Sequence, residues 1–131
     1  MIKIQKIQPQ NSIIFITGGG ELVEHGGYVE VPADKIDPDN TLVAASRTML
    51  IVCVRPEVDG ETELTFGRSS EVDPGWPPGF VGVIATPPRQ LIIHDVYGDV
   101  LIRQPDVPDI TRLRIWFSHP LWPERVLIGI D

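Results

Sequence analysis

Three histidines, one cysteine, five serines and eighteen carboxylates are the side chains with which this chain could do covalent or metal chemistry. Zinc motifs place their ligands a few residues apart on one element, and His25, His94 and His119 share no such spacing. No metal or other cofactor is expected. D-P-D-N-T at 37–41 alternates acids as calcium loops do, but it lacks the loop's glycine and closing glutamate and reads as an Asx-type turn. Cys53 lies inside the apolar run M-L-I-V-C-V and reads as a small buried hydrophobe. None of Ser12, Ser46, Ser69, Ser70 or Ser118 stands in a G-x-S-x-G elbow, so no nucleophile is selected. T-G-G-G-E-L-V-E-H-G-G, 17–27, follows a strand as a phosphate loop would, yet no Lys-Ser or Lys-Thr closes it and no helix follows; a flexible hairpin is the better reading.

Binding chemistry has more support. Glu57, Asp59, Glu61 and Glu63 fall at every second position and share one face wherever that stretch is extended. They are either a solvated edge that resists strand pairing or a recognition surface for a basic partner. Residues 21–39 hold six further acids and one lysine. Trp76 stands in the stiff loop V-D-P-G-W-P-P-G, where it is first a plug over an open end of the core and second a contact for a partner. T-R-L-R-I-W-F-S at 111–118 alternates Leu113, Ile115 and Phe117 with Arg112, Arg114 and Trp116. The second set is expected to form an exposed cationic and aromatic face, with Trp116 as its anchor.

The elements that carry these residues are short. Thirteen prolines and twelve glycines leave no room for a long helix, and the runs between them are β-branched and alternating. Strands are expected at 2–7, 12–17, 28–31, 48–55, 62–68, 79–85, 89–96, 99–104, 111–118 and 125–130, with a helical turn at most near 32–39. Tyr97-Gly98 marks the best-specified hairpin. With 131 residues, 42% hydrophobic and 22% charged, the chain is expected to form one all-β domain, 1–131. That domain is an antiparallel β-sandwich of about 8–10 short strands, with a closed barrel as the runner-up.

The net charge of −7 argues against nucleic acid as a direct ligand, because counterion release needs clustered cations. No run approaches the ~20 apolar residues of a membrane span, and an unpartnered cysteine suits a reducing compartment, so a cytoplasmic protein with no membrane contact is expected. This small, acidic, helix-poor layout is similar to that of many bacterial inhibitor and immunity-type proteins, a likeness of layout that carries no residues over. The function expected is therefore non-enzymatic. An acidic surface would bind a basic protein partner, such as a nuclease or another secreted effector. A jelly-roll type domain holding a carbohydrate on exposed aromatics is the alternative, and a hydrolase with convergent carboxylates a weaker one.

Overall fold

A computed structural model describes residues 2–18 and 42–131. The strand expected at 28–31, the turn near 32–39, the acids of 21–39, His25 and most of the glycine-rich stretch lie outside the described residues. Among the described residues ten strands make two five-stranded sheets that pack face to face as a β-sandwich, and neither sheet closes into a barrel. The first sheet runs β1 (Lys3–Ile7), β5 (Thr62–Arg68), β10 (Arg125–Ile130), β9 (Ile110–Phe117), β6 (Phe80–Ala85). The second runs β3 (Val43–Ala45), β4 (Met49–Cys53), β2 (Ile13–Thr17), β7 (Gln90–His94), β8 (Val100–Pro105).

Period-2 alternation builds the core. Ile14 and Ile16 on β2, Leu50 and Val52 on β4, and Leu91 and Ile93 on β7 meet Leu64, Phe66, Leu113, Ile115, Val126 and Ile128 from the other sheet. Each such side chain contributes about 1.5–3 kcal/mol by leaving water.

The structure differs from the sequence expectation in three places. The first sheet is not purely antiparallel: β10 runs parallel to β5, from Arg125 beside Glu63 to Ile130 beside Arg68. The β9–β10 hairpin inserts β10 between β9 and a strand some sixty residues earlier, and alternation says nothing about such pairings. The strand β3 is only V-A-A, too short to show a period. The helix α1 (Ser69–Val72) is a single turn directly after β5. It lies on the outer face of the first sheet at Gly129, where an added Cβ would stand 2.7 Å from the Ser69 Cα. Only glycine permits that approach.

Candidate functional site

Strand β9 puts Arg112, Arg114 and Trp116 on the outer face of its sheet, but that face is covered at the tryptophan. Trp116 is 1% exposed and packs with Val72 of α1 and Leu127 of β10. Its Nε1 donates to the Trp76 carbonyl oxygen at 2.9 Å. The expectation of an exposed indole is thus corrected: alternation assigned the face correctly, but a four-residue helix and the following loop roof it over. Trp76 belongs to that roof. Its backbone carbonyl caps the buried indole while its own ring stays partly exposed, so it closes the outer face of one sheet and not the open end between the two. A stacking platform for a sugar on Trp116 is absent.

The two arginines are occupied as well. Arg112 Nε and Arg114 Nε each lie 3.1 Å from the Asp131 carboxylate, which also accepts from the Ser69 hydroxyl at 2.5 Å. Burial pushes the Asp131 carboxyl up, but the Ser69 hydrogen bond, the Arg114 hydrogen bond and the two guanidinium charges outweigh it and hold the group below its ordinary value. A lowered folded value stabilises above the unfolded one and is lost as pH falls through the folded one. Asp131→Asn should therefore cost under about 1 kcal/mol at neutral pH, and the difference from wild type should fade in urea titrations as the pH falls through the lowered folded value.

The four alternating acids do not share a strand face. Glu57–Asp59 is a 3-10 turn, and Gly60 follows at φ 123, a left-handed geometry that breaks the alternation before β5 begins. The turn is held firmly: the Glu57 N–H donates to the Ser12 Oγ at 2.9 Å, and Gln8 Nε2 donates to the Glu57 carbonyl. Glu61 and Glu63 instead line a cleft of about 370 Å³ together with Glu124 and the cations Lys6, Arg55 and Arg125. Arg125 Nε is 3.6 Å from Glu63, and Arg55 is 4.0 Å from Glu124. Among the described residues Glu57 and Asp59 have no ion-pair partner.

What the fold brings together is one end of the sandwich. The β1–β2, β4–β5, β7–β8 and β9–β10 connections all meet there, since β1, β4, β7 and β9 run toward it. Val58, at the tip of the 3-10 turn, is 90% exposed, and Tyr97, Leu121 and Trp122 are each more than half exposed. The Tyr97 hydroxyl donates to the Gln10 side chain, which ties the hairpin tip to the β1–β2 connection. In the β9–β10 loop His119 Nδ1 accepts from both Leu121 N and Trp122 N at 3.0 Å, and its ring stacks on Trp122 with centroids 5.3 Å apart. Large apolar side chains are thus displayed on connections already fixed, which lowers the entropy lost on binding. The charge here is lopsided. Glu57, Asp59, Glu61, Glu63, Asp95, Asp99 and Glu124 stand against Lys6, Arg55 and Arg125, seven acids to three bases. Elsewhere in the described residues Lys3, Arg47, Arg68, Arg89, Arg103, Arg112 and Arg114 outnumber Glu71, Asp73, Asp106, Asp109 and Asp131.

The remaining reactive groups serve the fold. His94 is fully buried, stacks on Phe15 and donates from Nδ1 to the Asp95 carbonyl at 2.7 Å; its Nε2 has no partner among the described residues. Burial pushes the Cys53 thiol up, which keeps it protonated and unreactive. Ser12, Ser46 and Ser118 accept hydrogen bonds from backbone N–H groups, and Ser69 holds Asp131. Among the described residues no three His, Cys, Asp or Glu side chains are placed so that they could hold a metal ion, and no described helix is long and apolar enough to cross a membrane.

No family model matches the chain, and no curated protein does. Two solved structures share the fold. One is the crystal structure of ComJ, inhibitor of the DNA degrading activity of NucA, from Bacillus subtilis: 14% identical, TM-score 0.58, covering 99% of this chain and 97% of that one. The other, described as Crocagin biosynthetic gene J, is 12% identical with a TM-score of 0.56 and the same coverage.

Proposed function

We propose that this protein is an inhibitor-type binding module whose loop end docks on a basic protein partner. The observation that carries the reading is the coincidence, among the described residues at one end of the sandwich, of four exposed apolar side chains with seven acids against three bases. Apolar anchors ringed by charge are how tight, steered interfaces are built. ComJ, which shares the fold, inhibits a DNA-degrading activity, and its likeness supports an inhibitor role here. A protein that acts on a polyanion presents cations, for which an acidic loop end is the complement. The module acts by occupying its partner; Trp76, Arg112, Arg114 and Trp116 support the scaffold, and Glu57, Asp59, Glu61 and Glu63 steer the encounter.

A photo-crosslinking side chain at position 97, on the loop end, and another at position 106, on the opposite end, test the reading in the native cell. Position 97 is expected to capture one basic protein and position 106 none. Capture from 106 alone, or from neither, would overturn it.

A further inference from the structure

We infer that β6 pairs with β6 of a second copy of this chain, antiparallel and centred on Gly82, making a homodimer with one continuous sheet. A strand edge invites pairing with another chain unless charge, proline, a bulge or shortness blunts it. Among the described residues the two sheets have four edges, and three are blunted: β1 carries Lys3 and Lys6, β3 has three residues, and β8 carries Arg103, ends on Pro105 and has a register shift opposite Ile93 and His94. The fourth, F-V-G-V-I-A in β6, has no charge, no proline and no register shift against β9.

Its free hydrogen-bonding groups are placed for the purpose. Thr86 N donates to Asp109 O in the β6–β9 ladder, so by antiparallel alternation the odd residues of β6 turn their N–H and C=O groups away from β9. Ala85 spends its N–H on the Arg47 carbonyl, which leaves Val81 and Val83, 44% and 56% exposed. Pairing about Gly82 sets Val81 opposite Val83 of the second copy and the reverse, each pair exchanging both of its main-chain hydrogen bonds, with valine against valine on the outer face.

Charge selects a second copy over the basic partner of the loop end. Arg114 and Arg112 are the cross-strand neighbours of Val81 and Val83 and share the single carboxylate of Asp131, and no acid lies on β6, so the edge offers nothing to draw a basic protein. Because β6 runs from the loop end to the opposite end, antiparallel pairing lays the acidic end of each copy beside the end of the other where, among the described residues, bases outnumber acids, near Arg47 and Arg112.

Sedimentation of the purified full chain over roughly 1–500 µM should show a concentration-dependent species of twice the mass of one chain. The Val81→Lys/Val83→Lys variant, which charges the edge, and Val83→Pro, which deletes one outward N–H, should each raise the dissociation constant at least about tenfold with unchanged circular dichroism. Amides of Val81 and Val83 in wild type should gain hydrogen-exchange protection with concentration, a readout that stands even if a variant misfolds. A monomer at the highest concentration, a dimer indifferent to both variants, or a dimer whose Val81 and Val83 amides stay unprotected would overturn the inference; the last two would place the contact on another surface.

Discussion

Trp116→Ala is expected to lose about 3–5 kcal/mol of unfolding free energy, the range for truncating a large aromatic in a packed interior. Trp116 sits between the sheet and a roof made by α1 and the 73–79 loop, at 1% exposure. The roof is pinned through the Ser69–Asp131 hydrogen bond and through Gly79 N, which donates to the Ile115 carbonyl at 2.8 Å, so it has little freedom to collapse into the space left behind. The Trp76 carbonyl would lose its donor at the same time. Against a total stability of about 5–15 kcal/mol for a domain of this size, that loss is a third or more of the total in all but the most stable case. Trp116→Phe keeps most of the apolar contact and should lose about half as much. Urea denaturation followed by circular dichroism decides between them and the opposite idea: a loss under about 1 kcal/mol for the alanine variant would mean the indole is a surface group after all.

A Glu57→Lys/Asp59→Lys variant should bind the partner captured through the loop end about 10- to 100-fold more slowly at low salt, with a flattened salt dependence and a melting temperature within about a degree or two of wild type. These two carboxylates are the clean ones to reverse. Glu63 already faces Arg125 and Lys6, so its reversal mixes lost steering with lost local pairing. Stopped-flow association across a salt series, with Asp106→Lys/Asp109→Lys at the opposite end as the control of equal charge change, separates a site effect from a net-charge effect. Equal slowing by both variants would mean that overall charge, not the loop end, governs the encounter.

The strands were legible because short β-branched and apolar runs between turn-formers mark them directly: β5 and β10 begin and end where T-E-L-T-F-G-R and R-V-L-I-G-I do, although both are buried on both faces for most of their length. Faces were legible too. Exposure was not, because what covers Trp116 is a single turn whose sequence, S-S-E-V, carries no helical period and whose close packing depends on a glycine sixty residues away. The 57–63 acids misled for a related reason: Gly60 interrupts the strand geometry that even spacing suggested. The loop end was invisible as a unit because Gln8, Val58, Tyr97 and Trp122 come from four connections, and convergence is a property of topology. Tyr97 was in view in the sequence, but only as half of a turn.

The parallel pairing of β5 with β10 has a consequence for how quickly the protein reaches its native state. Hairpins such as β7–β8 close over a few residues and cost little chain entropy, so they form in microseconds. The β5–β10 pair must join Glu63 to Arg125, and it sits at the middle of its sheet, between β1 and the β9–β6 pair. Until that long loop closes, the halves of the sheet are unconnected and Phe66, Val126 and Ile128 have only part of their neighbours. The rate-limiting barrier is therefore expected at this pairing, with refolding in the slow, millisecond-to-second class of β proteins and the margin of β5 the surface most open to wrong partners while it waits; stopped-flow refolding checks this.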